Sequence, residues 1–247
     1  MSPMRLDKFL ALQGLGTRGE ARALVRAGRV FVDGEAARDG SVALDEKSAC
    51  VTLDGERLRY RASLHLMMNK PAGVLTAAAD SRRATVMGLL PRYAAAMGCM
   101  PVGRLDLDTE GLLLFTTDGP LAHRLLSPGR RVEKLYEAQV DGTLDAEDAA
   151  AFGEGLVLSD FRAMPAELMI LPGAARARVT VREGKFHQVK RMFQARGKRV
   201  TYLKRLSFGG VWLDPSLKAG EWRELTDEEL ARLYKAAGGE KDGRALL

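Results

Sequence analysis

Short apolar runs alternate with helical stretches along residues 64–238, and this alternation limits the possible folds more than any other feature. Runs of strand length and apolar character occur at 65–68, 111–116, 135–140 and 176–181. Stretches with helical patterning occur at 85–90, 146–154 and 188–196. The strands have the pattern of antiparallel hairpins rather than of regular helical crossovers. We therefore predict an α+β fold with a mostly antiparallel mixed sheet.

The N-terminal segment has a different pattern, which predicts a small α/β domain. Apolar residues recur with helical spacing over 4–13 and are followed by a Gly-Leu-Gly stop. Thr17 and Glu20 then have the spacing of a capping box, so a second helix is expected to follow and to end at Gly28. A strand is expected at 29–34, where an apolar run meets an Asp-Gly turn.

The length of 247 residues suits two domains of ordinary size. We place the first domain at 1–60 and the second at 61–238, and we interpret the charged stretch 56–61 as a linker. Residues 239–247 are expected to form a loose tail.

Basic residues are concentrated in two segments of the chain. The net charge is +6 and the isoelectric point is about 9.4. Six Lys and Arg lie within 1–30, and nine lie within 181–205 against one acidic residue, Glu183. Two separated basic segments suggest two contact surfaces for one long polyanion.

The predicted second helix carries a row of arginines on one side. They recur at spacings of four, four and three and are Arg18, Arg22, Arg26 and Arg29. Such a row fits a phosphate backbone, whereas a solvated face with scattered ion pairs is the simpler structural alternative. Glu20 is the one acidic residue within that helix, so we favour the binding role.

Composition disfavours several classes of function. Cys50 and Cys99 lie far apart without neighbouring ligand residues, and the three histidines are scattered, so we expect neither a metal site nor a disulfide. No uninterrupted apolar stretch of about 18 residues occurs, and residues 1–8 lack a signal-peptide pattern, so we expect a cytoplasmic protein without a membrane span. No glycine-rich phosphate loop follows a strand, and we expect no cofactor.

The densest chemical signal lies at residues 103–119. Asp106, Asp108 and Glu110 precede an apolar run that ends in an Asp-Gly turn. Such a cluster could bind a metal ion, form a polar loop or hold a catalytic carboxylate, and no His or Cys joins it to complete a metal site. The residues alone leave a catalytic role and a polar loop equally open.

Residues 1–60 resemble the S4 RNA-binding domain. The matching segments are 4–10, the arginine-lined second helix and 28–34. That family presents its second helix and the adjoining loop to folded RNA. The resemblance therefore implies that RNA is bound by basic residues of this domain, namely Arg5, Lys8, Arg18, Arg22, Arg26 and Arg29.

The sequence Gly103-Arg104-Leu105-Asp106, followed by Asp-Thr-x-Gly-Leu-Leu-Leu, is similar to the active-site motif of the ribosomal small subunit pseudouridine synthase A family. In that family the first Asp of the motif is catalytic, so the resemblance assigns this role to Asp106. Arg104 matches an arginine that helps to displace the target base. Asp108 and Glu110 match positions that are not the nucleophile.

Other segments extend this resemblance in chain order. Residues 68–74 resemble the segment that opens the catalytic domain, and 206–210 resemble its closing strand and turn. Residues 134–136 resemble a Lys-x-Tyr segment, in which Tyr136 would pack on the target base.

Residues 183–193 resemble a further family motif, in which a basic residue after Gln-Val pairs with the catalytic aspartate. This points to Lys190, although many relatives outside this branch have arginine there. Arg191 is the competing candidate. We also expect Lys185 and Arg191 to contact RNA phosphates, as part of the basic run 185–205.

The resemblance implies an isomerase that breaks the bond from ribose C1′ to uracil N1 and rejoins the base through C5. The uridine must leave its stack, and stacking on Tyr136 would recover part of that cost. Lys190 would keep Asp106 ionised, since a cation within about 4–6 Å favours a carboxylate in a desolvated pocket. Asp106 could then add to C6, attack C1′ or remove a C2′ proton.

The implied partner is ribosomal RNA, with uridine 516 of 16S RNA as the implied target, either free or within a small ribosomal subunit during its assembly. We expect a monomer without membrane contact. A paralogous enzyme of 23S ribosomal RNA is one alternative. A non-catalytic S4-type RNA-binding factor is another, but it leaves Asp106, Tyr136 and Lys190 unexplained. A metal-dependent nuclease built on the carboxylate cluster is a third.

Overall fold

The computed structural model describes residues 4–45 and 48–239. The chain divides into two compact units: Met1–Leu64 with Leu90–Met100, and His65–Leu89 with Pro101–Leu247. The first unit extends beyond the predicted boundary at residue 60 and includes Leu90–Met100, which the sequence interpretation placed in the second domain. The predicted tail lies outside the described residues except for Gly239.

The described part of the first unit contains three short helices and six short strands. The helices are Leu6–Leu12 (α1), Arg18–Arg26 (α2) and Arg92–Ala96 (α3). The strands are Met4–Arg5 (β1), Val30–Val32 (β2), Glu35–Ala36 (β3), Ala43–Leu44 (β4), Val51–Leu53 (β5) and Glu56–Leu58 (β6). β1 pairs with β4, and the other four strands form an antiparallel sheet in the order β3-β2-β5-β6.

Helix α2 begins at the predicted position because its cap is complete. The Thr17 hydroxyl accepts a hydrogen bond from the Glu20 amide at 3.3 Å, and the Glu20 carboxylate accepts one from the Thr17 amide at 2.7 Å. This reciprocal pairing satisfies amide groups that the first turn of a helix leaves unpaired. The core of the unit is formed by buried apolar residues of α1, α2 and the strands: Leu6, Phe9, Leu10, Ala21, Val25, Val30, Leu44 and Val51.

The predicted linker at 56–61 is wrong in its first half. Glu56–Leu58 is strand β6, and Leu58 pairs with Val51 of β5. The charged residues Glu56 and Arg57 are exposed because β6 is an edge strand of its sheet, a position where charged side chains are common. Because these residues are charged, the composition of the segment did not indicate a strand.

The second unit is built on a nine-stranded sheet. Its strands are His65–Lys70 (β7), Met100–Pro101 (β8), Glu110–Thr116 (β9), Lys134–Asp141 (β10), Glu167–Ile170 (β11), Arg176–Val181 (β12), Arg199–Phe208 (β13), Val211–Trp212 (β14) and Trp222–Glu224 (β15). The helices of the unit are Gly119–Leu126 (α4), Ala146–Glu154 (α5), Gln188–Ala195 (α6) and Asp227–Ala236 (α7), with 3-10 turns at Val86–Leu89 and Pro128–Arg130.

The strand order is β11-β12-β10-β13-β9-β7-β15, with β14 beside β13 and β8 beside β9. Every neighbouring pair in that order is antiparallel except β13 and β9, which run parallel. The predicted α+β fold with an antiparallel-dominated mixed sheet is therefore confirmed. A core cluster forms where apolar residues of α4 and α7 meet the sheet: Leu121, Leu125, Leu230 and Leu233 with Met67, Leu112, Leu114 and Phe208.

The sequence predicted some helices of this unit and missed others. Helix α5 has the predicted bounds, α6 ends one residue early, and the stretch 85–90 is a 3-10 turn. The Asp-Gly turn predicted after β9 is instead the start of α4. The Asp118 carboxylate accepts from the Leu121 amide at 2.8 Å and so caps that helix.

The parallel pair β9 and β13 requires a close backbone contact at Gly111. Gly111 lies opposite Arg205 and has φ +98°. A Cβ on Gly111 would lie 2.3 Å from the Arg205 carbonyl oxygen and 2.9 Å from its nitrogen. Any side chain here would force the two strands apart. Glycine at this position therefore allows the carboxylate-rich loop before β9 to reach the middle of β13.

We expect Gly111→Ala to lower the free energy of unfolding by at least about 3 kcal/mol, because it combines an unfavourable φ with a backbone clash. Gly142→Ala is the matched control. Gly142 has φ +119° but nothing within 4 Å of an added Cβ, so only conformational strain of about 1 kcal/mol is expected. Urea denaturation of the two variants measures the difference, and equal losses would contradict the close-contact explanation.

Candidate active site

A pocket of about 110 Å³ opens where the loop 103–109 meets strands β10 and β13 and the segment before α6. Its polar lining comes from four separate parts of the second unit: Arg104, Asp106, Thr109, Lys134, Tyr136, Glu183, Lys185, His187, Gln188 and Arg205. The apolar wall includes Leu105, Val189, Leu203 and Phe208. The three sequence segments predicted to carry chemistry therefore meet in one place.

The loop that carries Asp106 is held by local hydrogen bonds. The Thr76 hydroxyl donates to the Leu105 carbonyl at 2.9 Å and accepts from the Leu105 amide at 3.3 Å. The Thr109 amide donates to the Asp106 carbonyl at 3.1 Å, which closes a tight turn. The Asp106 side chain lies at the pocket, 26% exposed.

Lys70, at the end of β7, lies behind this loop and is fully buried. Its Nζ donates to the carbonyl oxygens of Pro71 at 2.9 Å, Asp106 at 3.1 Å, Leu107 at 3.4 Å and Thr109 at 2.9 Å. Burial lowers the pKa of Lys70 to about 8, although nearby carboxylates oppose the shift. The four carbonyl oxygens take the place of water around the ammonium group. Lys70 thereby holds the backbone of the loop at Asp106 and in the residues that follow it.

Lys190, in the first turn of α6, contacts two carboxylates. Its Nζ lies 3.1 Å from Asp106 Oδ2 and 2.5 Å from Asp108 Oδ1. Burial acts to lower the pKa of Lys190, but hydrogen bonds to Asp108 and Asp106 raise it overall. The bond from Lys190 also lowers the pKa of Asp108. The predicted partner of Asp106 is thus in contact with it, and Asp108 is an additional partner that the sequence did not indicate.

Arg191, the competing candidate, has other partners. It donates to the Ser159 hydroxyl at 2.9 Å and forms an ion pair with Asp160. Its guanidinium carbon lies 5.1 Å from the centre of the Phe161 ring, and Lys185 Nζ lies 3.9 Å from the same centre. Lys185 and Arg191, which were both predicted to contact RNA, therefore lie over the same aromatic ring.

Tyr136 lies in β10, lines the pocket and is 9% exposed. Arg205 approaches it from β13: its Nη1 donates to the Tyr136 hydroxyl at 3.5 Å and its Nε donates to the Leu112 carbonyl at 2.8 Å. Arg205 is only 2% exposed, so the prediction that the basic run 185–205 contacts phosphates is wrong for this residue. Its Nη2 has no hydrogen-bond partner among the described residues.

Lys134 is a second buried cation of the pocket, beside Arg205. The sequence interpretation did not assign it a role in the site. Its Nζ donates to the Val132 carbonyl at 2.8 Å. Burial and then the Arg205 charge lower the pKa of Lys134 to about 8, with Glu183 opposing. The signal was available, because alternate residues of a strand share a face and Lys134 is two residues from Tyr136. The inner wall of the pocket therefore holds two cations, Lys134 and Arg205, together with the Glu183 carboxylate, whereas Asp106 lies at its edge beside Lys190.

His187 is a further pocket residue that the sequence interpretation did not assign. It precedes α6 with a left-handed backbone, φ +50°. Its Nε2 lies 3.6 Å from Asp106 Oδ1. Arg104, which the sequence did assign, is exposed and lines the same pocket.

Three arginines of the predicted row, Arg18, Arg22 and Arg26, lie on α2, whereas Arg29 lies beyond its end, directly before β2. The acidic partner of the row is not Glu20. Asp7 of α1 is fully buried and accepts from Arg18 at 2.8 Å, Arg22 at 2.7 Å and Arg5 at 3.3 Å. Burial acts to raise the pKa of Asp7, but hydrogen bonds from the three arginines hold it far below its usual range. The sequence did not reveal this partner because α1 and α2 meet only in the folded unit.

The remaining basic residues of this unit differ from one another. Arg29 forms an ion pair with Asp54 at 2.5 Å. Arg26 and Lys8 are exposed, and neither has an ion-pair partner within 4–45 and 48–239. The six residues of this unit that were predicted to bind RNA are all exposed, so each can be reached by a phosphate.

The carboxylates of Asp106 and Asp108, in the loop before β9, and of Glu110, at the start of β9, do not all converge. Asp106 and Asp108 share Lys190, whereas Glu110 accepts from the Tyr202 hydroxyl at 2.9 Å. Within the described ranges, no group of three His, Cys, Asp or Glu side chains could hold a metal ion. Across those ranges, too, no helix is both long and apolar enough to cross a membrane.

Comparison with known proteins identifies the family. The family model described as RNA pseudouridylate synthase matches residues 64–195, and that of the S4 domain matches residues 4–49. An uncharacterised RNA pseudouridine synthase of Bacillus subtilis is 48% identical over 231 residues, which cover 92% of this chain and 97% of the relative. The ribosomal small subunit pseudouridine synthase A of Vibrio cholerae is 40% identical over 235 residues, which cover 94% of this chain and 100% of the relative.

A solved structure agrees with these relatives. The crystal structure of a pseudouridylate synthase superposes with a TM-score of 0.65 at 35% identity, covering 93% of this chain and 99% of that one. The fold, the pocket and the S4 domain together define an RNA-modifying isomerase. The chain belongs to the RNA pseudouridylate synthase family, in the branch that includes ribosomal small subunit pseudouridine synthase A.

We expect Lys70→Met to lower the free energy of unfolding by at least about 2 kcal/mol, because buried carbonyl oxygens lose their donor. The rate of isomerisation should fall further than stability alone explains, since the Asp106 loop loses its support. Thermal denaturation and turnover measured well below the melting temperature check the two effects. Lys218→Met, at an exposed position, is the control, and wild-type turnover by Lys70→Met would contradict the assigned role.

Proposed function

We propose that this enzyme isomerises one uridine of 16S ribosomal RNA, with Asp106 as the catalytic carboxylate. The observation that carries the catalytic assignment is the 3.1 Å contact between Asp106 and Lys190 at the edge of a pocket that also holds Tyr136. The small-subunit target is supported by relatives named ribosomal small subunit pseudouridine synthase A, whose target we take to be uridine 516. We place its action in the cytoplasm, as a monomer, on free RNA or on a ribosomal particle during assembly.

The pocket chemistry suits this reaction. The C1′–N1 bond breaks and its electron pair leaves with N1; the base then rotates, C5 bonds to C1′, C5 loses its proton and N1 gains one. Asp106 acts on the ribose side, with the Lys190 ammonium 3.1 Å from its carboxylate. Tyr136 stacks on the extruded uracil. Lys134 and Arg205, on the inner wall, offset the negative charge that the departing base carries.

The basic residues divide into two groups by task. Six residues contact backbone phosphates from the first domain, residues 1–60: Arg5, Lys8, the α2 arginines Arg18, Arg22 and Arg26, and Arg29. Lys185 and Arg191 do so beside the pocket, in the catalytic domain 61–238. Phosphate contacts position an RNA without reading its sequence. Arg104, exposed at the pocket, helps to displace the target uridine from its stack.

Pseudouridine mapping by mass spectrometry in cells that lack the gene tests target and catalysis together. We expect one uridine of 16S ribosomal RNA to remain unmodified. Wild-type protein and Asp108→Asn should restore the modification, whereas Asp106→Asn should not, because an amide cannot act as a carboxylate nucleophile or base. With purified protein, Asp106→Asn should lose about 10⁴-fold or more in turnover while RNA affinity stays nearly unchanged.

The outcomes separate the parts of the proposal. A missing pseudouridine in 23S rather than 16S RNA would assign the chain to the paralogous activity and leave the catalytic residue untouched. Restoration by Asp106→Asn would refute the catalytic assignment. No missing site in either RNA would favour the non-catalytic S4-type factor.

Charge pairing predicts an order among substitutions in α6. Lys190→Ala should lower turnover by about 10²–10³-fold, because a cation beside the reacting charge is removed. Lys190→Arg should stay within about tenfold of wild type, and Arg191→Ala should mainly weaken RNA binding. Single-turnover rates and filter-binding affinities measure the two effects separately. The assignment fails if Arg191→Ala lowers the rate more than Lys190→Ala does.

A further inference from the structure

An exposed aromatic pair lies beside Asp106. Phe186 and His187 stack with ring centres 3.8 Å apart and planes 18° apart. Phe186 is 68% exposed, whereas phenylalanine is among the residue types most often buried. Single exposed apolar residues are common on protein surfaces, so exposure alone identifies no site, and the surroundings of the ring must be considered.

The segment before α6 holds this pair in a fixed place. The buried Gln188 side chain accepts from the Lys185 amide at 3.1 Å and donates to Glu183 at 2.7 Å. Glu183 also accepts from the Met164 amide at 2.7 Å. His187 adopts φ +50°, a left-handed conformation that is unfavourable for a residue with a Cβ. The pair is therefore preorganised, and strained backbone of this kind is concentrated at functional sites.

The pair extends outward from the proposed catalytic carboxylate. His187 lines the pocket and its Nε2 lies 3.6 Å from Asp106 Oδ1. Phe186 stacks on the His187 ring but is not part of the pocket lining. If the target ribose lies at Asp106, the next nucleotide of the strand is one phosphate away and can reach the Phe186 ring.

Two cations close to Phe186 in the sequence lie over a different ring, Phe161. Lys185 Nζ lies 3.9 Å from the centre of the Phe161 ring, and the Arg191 guanidinium carbon lies 5.1 Å from it. Surfaces that bind single-stranded nucleic acid combine such cations, which contact phosphates, with exposed rings, on which bases stack. A phenyl ring carries no hydrogen-bonding group and therefore accepts any base.

We propose that Phe186 stacks on a nucleobase adjacent to the target uridine and holds the strand while the uridine is turned into the pocket. This inference rests on the proposed function, because it takes Asp106 to mark the ribose of the target. The ligand is an unpaired base of the RNA strand, either purine or pyrimidine.

Steady-state kinetics on the RNA fragment that contains the mapped uridine provide the first test. Phe186→Leu is expected to raise KM by about 10- to 100-fold, since stacking on an aromatic ring contributes that much to binding of one base. Its kcat should change by less than about threefold, because Leu keeps an apolar side chain at an exposed site. Phe186→Tyr should behave as wild type. Trp212→Leu, at a 54% exposed aromatic outside the pocket lining, is the control.

RNAs that lack the base on the 5′ or the 3′ side of the uridine provide the second test. Removing the stacked base should raise KM strongly for wild type but little for Phe186→Leu, because the two changes remove the same contact. The inference would be overturned if the increase in KM from removing a base and the increase from Phe186→Leu multiply on both the 5′ and the 3′ side. An unchanged KM for Phe186→Leu would overturn it as well. If the proposed function itself is wrong, the result is different. Asp106→Asn would then keep full turnover, and this outcome does not depend on how Phe186→Leu behaves.

Discussion

The parallel contact between β9 and β13 is the constraint on which the pocket depends. It places the loop that ends at Glu110 against the middle of β13, where Arg205 projects into the site. Strand β10, on the other side of β13, then contributes Tyr136. A shift of one residue in this register would turn Arg205 to the opposite face of the sheet. The chemistry therefore depends on a backbone contact that only a glycine at 111 permits.

The charges of the pocket are separated in space. Asp106 and Asp108 share one ammonium, that of Lys190, at the edge of the pocket. Lys134 and Arg205 are buried on the inner wall, where the low polarity of the surroundings strengthens their field. A reaction that moves negative charge from a sugar to a base suits such a gradient. Lys70 adds a structural cation that faces carbonyl oxygens instead of the pocket.

The sequence was most informative where chemistry and local structure depend on neighbouring residues. The capping box of Thr17 and Glu20 fixed the start of α2, and the helix over 146–154 had the predicted bounds. The family resemblance brought Asp106, Tyr136 and Lys190 into consideration, and these residues do line or border one pocket.

Features that depend on contacts between distant parts of the chain could not be predicted from the sequence. The role of Arg205 follows from burial beneath Tyr136, whereas in the sequence it is one basic residue of a run. Two of the three Asp7 partners, Arg18 and Arg22, lie 11 and 15 positions away, on another helix. Strand β6 is charged because it lies at an edge, and β13 pairs in parallel with a strand nearly a hundred residues earlier in the chain. None of these contacts has a local pattern.

Asp7 has a consequence for the phosphate contacts that we propose for the first unit. Long arginine side chains lose about 1–2 kcal/mol of rotamer freedom when they are fixed. The carboxylate of Asp7 already restrains Arg5, Arg18 and Arg22 in the free protein, yet each guanidinium side chain remains 45–50% exposed. Much of the ordering cost is therefore met during folding and is not subtracted from the free energy of association. One buried carboxylate thus presents three surface cations to the proposed RNA as one restrained group.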